Sequence, residues 1–269
     1  MAIGVHEGVL LASGIGLGAV LSRPAGARSL NGAGHRRVPA PPGKFATPAS
    51  MTVAAVAPGR GTDAHSHGTG PIAREQCCLI VVDVQYSFID KLPLDWREPL
   101  IERIAYLMKV AEALQIPMVA TAEDIEHDGP LVSTLQELLP ANAPPVFDKM
   151  IFGLASQPEI LAAVEATERN TVVLVGLETD VCILQSALGL QQRGYRVVVV
   201  TDATASPSPH HEHGLDRLRQ ADITLTSTKS LFYEWMADLA TLGQLRLPGV
   251  PSYDSFRGGS PMNAVRYTL

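Results

Sequence analysis

The chain is expected to fold as an α/β protein: a Rossmann-like, three-layer α/β/α domain around a six-stranded, mostly parallel sheet of order 3-2-1-4-5-6. Three observations lead there. Short apolar runs rich in β-branched residues alternate with stretches of helical periodicity. The runs over residues 77–82 and 172–175 are apolar at every position, as central strands covered on both faces are. Right-handed crossovers with a single reversal of winding then give the order 3-2-1-4-5-6, with strands 1 and 4 side by side at the switch point.

The elements follow in order. Residues 77–84 (CCLIVVDV) form the first strand, with Cys77 and Cys78 facing opposite sides of the sheet. Leu100, Ile101, Ile104, Leu107, Met108, Ala111 and Leu114 recur at helical spacing, so a helix is expected over 99–114. After Pro117 a second strand covers 118–122 and is closed by Glu123 and Asp124. A short helix over 131–139 precedes a minimal strand at 145–147, which leads to Asp148 and Lys149. A helix over 157–167 leads into strand 171–175. Ile183, Leu184, Ala187, Leu188 and Leu190 then define a helix over 180–193, stopped at Gly194. Strand 196–201, helix 211–220, strand 223–225 and helix 231–242 complete the domain.

Composition divides the chain. Residues 1–70 hold 13 of the 23 glycines, six prolines and six Lys/Arg, but only two acids, Glu7 and Asp63. This extension reads as disordered or dispensable, with Met51 as an alternative start. Its apolar stretch over 8–21 is Gly-rich and too short to span a bilayer, and no Lys or Arg precedes it, so targeting signals are weak and a cytoplasmic location is expected. Residues 71–245 form the folded domain, and 246–269 a tail with Pro248, Pro251 and scattered aromatics. Beyond residue 70 the chain has 15 basic and 25 acidic side chains, a net of −10. That balance argues against nucleic acid or an anionic membrane as partner and leaves a small-molecule substrate. Three cysteines, two of them adjacent, cannot make a disulfide framework and fit a reducing compartment.

Function gathers where the strands end. Cys182 falls in the first turn of its helix, where unpaired N–H groups and the positive helix end favour a thiolate and could hold an oxyanion. A small cysteine packed under the helix has the same sequence signature. Asp83 ends a buried strand, a place packing alone does not explain, although a turn acceptor for residues 85–87 would. Lys149 follows strand 3 on the same edge. The expected topology therefore brings an acid, an amine and a thiol from three separate stretches to one crevice beyond the strand ends. No G-x-G-x-x-G follows strand 1, so a dinucleotide cofactor is not expected.

Val82-Asp83-Val84-Gln85 with Phe88, then Lys149, then Gly176-Leu177-Glu178-Thr179-Asp180-Val181-Cys182, with Thr201-Asp202-Ala203 closing the next strand, resemble the isochorismatase-like cysteine hydrolases. That family includes nicotinamidases, N-carbamoylsarcosine amidase and isochorismatase. The resemblance covers about residues 75–240. It implies a catalytic triad of Asp83, Lys149 and Cys182, a cis peptide between Leu177 and Glu178, and an oxyanion hole made by the N–H groups of Glu178 and Cys182. It implies an amidohydrolase that cleaves a C–N bond of a small amide, ureide or carbamoyl compound through a thioester, and a homo-oligomer, dimer or tetramer. The alternatives within the fold are a vinyl-ether hydrolase of the isochorismatase type and a catalytically idle scaffold.

Phe88, Glu123 and Phe152 are the expected substrate-binding residues, with Glu123 also placed to pair with Lys149. Nicotinamidases carry an Asp and two His after the second strand to hold a metal. Here that stretch offers Asp124 and a single histidine, His127, so no metal and no cofactor are expected. His210, His211 and His213 read as surface residues or a helix-entry cap.

Overall fold

The structure is a computed structural model and describes residues 70–244. The expected disordered extension, apart from Gly70, and the tail over 246–269 lie outside the described residues. Six strands form one sheet: β1 (Cys77–Val82), β2 (Met118–Glu123), β3 (Phe147–Lys149), β4 (Thr171–Leu177), β5 (Arg196–Ala205) and β6 (Thr224–Thr226). Their order is β3-β2-β1-β4-β5-β6 and every pair is parallel, so the expected "mostly parallel" sheet is wholly parallel.

The helices are α1 (Tyr86–Ile89), α2 (Leu94–Ala113), α3 (Ile125–Asp128), α4 (Ser133–Gln136), α5 (Pro158–Glu165), α6 (Leu184–Gln192), α7 (His210–Gln220), α8 (Thr228–Met236) and α9 (Leu239–Gln244). Strand alternation sorts the core into two layers. Cys77, Leu79, Val81, Val173 and Val175 face α2 and α8, where Ile104, Met108 and Trp235 pack. Cys78, Ile80, Val82, Val172 and Leu174 face α5, α6 and α7. Each such fully buried aliphatic side chain contributes roughly 1.5–3 kcal/mol, which makes the central strands the stable frame of the molecule.

Several boundaries differ from expectation for physical reasons. Helix α2 begins at Leu94 rather than 99, with Pro99 inside it. Its first turn is held from outside the periodic stretch, by Arg97 donating to the Asp90 side chain and to the carbonyls of Leu92 and Asp90. Strand β3 is 147–149, not 145–147, so Lys149 lies within the strand and pairs with Glu123 instead of following it. The helix expected over 231–242 is two, α8 and α9, separated at Ala237, which has a left-handed φ of 61°. Strand β5 runs on to Ala205 through a shift of register opposite residues 174–176.

That shift passes Gly176, where the sheet depends on a missing side chain. Its φ is 119°, and a Cβ there would stand 2.0 Å from the Val82 carbonyl oxygen. Gly176→Ala should therefore destabilise the fold by about 3 kcal/mol or more, read as a lower urea midpoint with unchanged slope. A midpoint within error of the wild type would show that β1 and β4 can part here at no cost.

Candidate active site

Four side chains meet at the C-terminal edge of the sheet because four adjacent strands end there. Asp83 follows β1 in a left-handed conformation (φ 51°) that aspartate tolerates better than most residues. Its amide donates to the Thr121 carbonyl, and its Oδ1 accepts from the Thr121 hydroxyl at 2.7 Å. Glu123 and Lys149 are opposite one another in the β2–β3 register. Cys182 lies beyond β4, in the turn after the strand.

Lys149 is the hub. Its Nζ stands 3.0 Å from Asp83 Oδ2, 2.8 Å from Glu123 Oε2 and 3.7 Å from Cys182 Sγ, and it donates to the Ile151 carbonyl at 3.1 Å. Cys182 Sγ in turn donates to Glu123 Oε2 at 2.9 Å. Lys149 and Asp83 are wholly buried and Cys182 is 4% exposed. The sequence-derived convergence of Asp83, Lys149 and Cys182 is thus present, joined by Glu123.

Burial sets the protonation states. It works against the charge of Lys149, but the facing carboxylates, chiefly Asp83, hold its pKa above the ordinary lysine range. Burial raises Asp83 to about 6, against the pull of Lys149 and the Thr121 hydroxyl. Burial, followed by the charge of Asp83 and the carboxylate of Glu123, pushes the Cys182 thiol well above the usual thiol range, and Lys149 offsets only part of this. Two carboxylates thus face one ammonium, and the balance at Cys182 favours the thiol, bonded to Glu123, over the thiolate that a helix N-terminus alone would favour.

The turn carrying Cys182 also differs from expectation. In place of a helix from residue 180, a π-helical turn covers Thr179–Ile183 and α6 follows it. The Leu177–Glu178 peptide is cis. The Glu178 carbonyl accepts from the amides of Val181 and Ile183, and the Glu178 carboxylate lies 3.5 Å from Lys91. Lys91 in turn sits over the ring of Phe88, 4.3 Å from its centroid, so Phe88 and Glu178 share one small cluster. Phe152 is half exposed and next to Ile151, whose carbonyl holds Lys149; Tyr86 is more exposed still.

Donor atoms of Asp83, Glu123 and Cys182 lie within 4.8 Å of one another, as metal ligands might. The Lys149 ammonium touches all three and supplies the positive charge such a set would require. Asp124 and His127 pair with each other at 2.9 Å on the surface and gather no third ligand among the described residues, which does not fit a three-ligand catalytic metal. A cleft of about 740 Å³ lies elsewhere, at the opposite edge of the sheet, lined by Glu112, Pro117, Asn142 and Thr167 and by none of the converging groups.

Sequence reasoning missed the groups that hold these side chains in place. The buried Gln85 amide donates to the Glu123 and Gly129 carbonyls and accepts from the Glu123 amide. Gln157 donates to the Asp148 carbonyl and accepts from the Met150 amide, gripping the backbone on both sides of Lys149. His211 is not a surface residue: it is buried, with Nδ1 2.9 Å from the Thr179 hydroxyl and its ring edge-on to Trp96. A signal was available, since His211, Gly214, Leu215 and Leu218 form one buried stripe of α7 at helical spacing. Gly214 lets α7 lie against the turn that carries Cys182, for a Cβ there would meet the Asp180 amide at 2.8 Å.

Sequence and shape comparisons place the domain in a family. Residues 77–230 match the model of the isochorismatase domain, more than half of the chain, and the protein belongs to the isochorismatase-like hydrolase family. Among relatives, "Isochorismatase family protein 2A" of Dictyostelium discoideum is 32% identical over 172 residues, covering 61% of this chain and 84% of its own. The "Secreted isochorismatase effector Isc1" of Phytophthora sojae is 33% identical over 174 residues, covering 63% and 81%. Among solved structures, the MAR1 ribonuclease of Caenorhabditis elegans superposes with a TM-score of 0.59 at 28% identity, over 68% of this chain and 95% of that one. The octameric YcaC hydrolase of Escherichia coli, of unknown specificity, gives 0.60 at 22% identity over 66% and 89% and shares the fold.

The buried imidazole gives a pH prediction. Burial lowers His211 from its ordinary 6.5 to about 4. Between those values the unfolded chain takes up a proton that the folded protein refuses. The stability tied to a neutral His211 is therefore complete above the higher value and lost as pH falls to the lower. Asp83, raised from 3.8 to about 6, has the opposite sign, because the folded form binds its proton first. His211→Asn should thus be less acid-sensitive than the wild type, and the gap between their urea midpoints should shift toward the variant from about pH 7.5 to about pH 5. A gap independent of pH would mean that His211 titrates alike in both states.

Proposed function

We propose that this protein is a cysteine-dependent amidohydrolase that cleaves a C–N bond of a small, uncharged amide, ureide or carbamoyl compound through a thioester. The observation that carries the reading is the buried Lys149 ammonium in contact with Asp83, Glu123 and Cys182. An idle scaffold has no physical reason to bury such a set together.

In this reading a substrate N–H takes the place of the thiol on Glu123, the role expected for that residue, with Phe88 and Phe152 lining the approach. The thiol then turns to Asp83, whose pKa of about 6 suits a group that must accept and return a proton near neutrality. Sγ bonds to the carbonyl carbon as its proton passes to Asp83, and the N–H groups of Glu178 and Cys182 receive the oxyanion. Collapse breaks the C–N bond, and Asp83 returns the proton to the departing amine. Water, giving its proton to Asp83, adds to the thioester carbonyl; the C–S bond breaks, Asp83 passes the proton to the departing Cys182 sulfur, and the acid is released.

Charge narrows the substrate. Two carboxylates, one ammonium and a neutral thiol leave about one net negative charge at the reacting centre, which repels a carboxylate held against it. That favours neutral compounds rich in N–H over isochorismate, a vinyl ether bearing carboxylates, and the acidic domain likewise disfavours a polyanion such as RNA. Supporting a homo-oligomer are the half-exposed Tyr86, Met150 and Phe152 and the octameric assembly described for YcaC. Three free, buried cysteines accord with a reducing cytoplasm, and no described helix is long and apolar enough to cross a membrane.

The test is ammonia or amine release by the full chain on a panel of small amides and ureides. Cys182→Ala and Lys149→Ala should each lose more than about a hundredfold on whichever class turns over. Glu123→Gln, which keeps one acceptor oxygen, should raise KM more than it lowers kcat. Release from no panel member, with Cys182 no more reactive to alkylation than Cys77 or Cys78, would sink the nucleophile reading.

A further inference from the structure

A single line of hydrogen bonds runs behind the nucleophile turn, and donor arithmetic fixes its direction. The Thr204 hydroxyl donates to the Gly176 carbonyl at 2.8 Å, which uses its only proton. In its 3.0 Å contact with Thr179, Thr204 must therefore accept, and the Thr179 proton is spent on it. The 2.9 Å contact between Thr179 and His211 then has one solution: Nδ1 of His211 carries a hydrogen and donates. Thr179 and Thr204 are wholly buried and His211 nearly so, so no water stands ready to replace a missing donor.

The two ends of this line matter. One is Gly176, the last residue before Leu177–Glu178, and the other grips Thr179, the first residue after it. Thr179 opens the same π-helical turn that presents Cys182. The side of α7 that supplies His211 also lies against Asp180 through Gly214, and the Ser206 hydroxyl ties the Asp180 carboxylate at 2.6 Å.

We infer that His211 is a positioning residue for the reaction: as the Nδ1–H tautomer it anchors Thr179 and so fixes the backbone N–H groups of Glu178 and Cys182 that receive the oxyanion. The inference rests on Cys182 being the nucleophile. It does not depend on which substrate Cys182 attacks. Without the imidazole donor, Thr179 keeps its bond to Thr204 but loses its outer anchor, and the start of the turn gains freedom to shift against the contacts that remain at Asp180.

Two probes separate this role from simple structural support. p-Nitrophenyl acetate acylates a thiol through a tetrahedral oxyanion: an S–C bond forms, the C–O bond breaks, p-nitrophenolate leaves and the thiol proton passes to the site carboxylate. Iodoacetamide alkylates the same sulfur by displacing iodide, with no oxyanion to stabilise. In the full chain, His211→Leu should lower the rate of Cys182 acylation relative to its alkylation by about tenfold or more. His211→Asn, whose amide nitrogen can stand where Nδ1–H stood, should restore most of that ratio. In the ¹⁵N-histidine-labelled wild type, His211 should show a protonated Nδ1 and a bare Nε2.

An Nε2–H tautomer in the wild type overturns the inference without any variant. So does an acylation-to-alkylation ratio that His211→Leu leaves unchanged, or a ratio that His211→Asn fails to raise above that of His211→Leu. If wild-type Cys182 takes neither probe faster than Cys77, the nucleophile reading fails and the positioning role falls with it. That failure is recognised by its presence in the wild type, with the Nδ1–H tautomer intact.

Discussion

A lysine ammonium with no access to water is the constraint on which the rest of the active-site edge depends. Moving such a charge out of water costs several kcal/mol after relaxation, and removing one partner of a buried pair costs about 3–5 kcal/mol. Lys149 is tolerable in its place because Glu123 reaches it from the neighbouring β2 and Asp83 from the end of β1 beyond it, with the Ile151 carbonyl completing its shell. The same three contacts that stabilise the ammonium place a thiol 3.7 Å from it. Stability and reactivity are thus requirements on one cluster, and a change that relieves one carboxylate leaves the other to carry the whole charge.

The geometry of that cluster is set one layer back, by uncharged side chains that grip backbone. Gln85 holds both the N–H and the C=O of Glu123. Gln157 brackets Lys149 through residues 148 and 150. Thr204 and Thr179, with His211 behind them, bracket residues 177 and 178. Each bond is worth only about 1 kcal/mol in net stability. Together they leave each of these active-site segments little freedom to drift, which is what a reaction sensitive to displacements of about 1 Å requires.

Much of this was legible in the sequence because it has local cause. The all-apolar runs at 77–82 and 172–175 mark central strands, and alternation along the first correctly sends Cys77 and Cys78 to opposite layers. Once strand order is set by crossover handedness, Asp83, Glu123, Lys149 and Cys182 must share an edge. What was not legible is long-range polar satisfaction. Gln85 and Glu123 are 38 residues apart, and Thr179 and His211 are 32 apart, with no periodicity to announce either contact. The protonation balance at Cys182 escapes a local reading for a related reason. A helix N-terminus viewed alone favours a thiolate, but the two carboxylates that reverse the balance arrive from β1 and β2. The early start of α2 escaped because Arg97, not an apolar stripe, holds its first turn.

The placement of the ammonium on β3 has a mechanical side. That strand is three residues long, stands at the end of the sheet, and is bonded to a strand on one side only. The central strands beside it are locked into both apolar layers, whereas β3 is held by β2, by the grip of Gln157 and by the ion pairs of Lys149, so the centre of charge stands at the sheet's margin. Were β3 to swing outward, Asp83 and Glu123 would face each other without a cation between them, and their repulsion would oppose its return. In the proposed reaction, competence is therefore fastened at a selvedge of the fabric, and can be lost while the weave behind it stays whole.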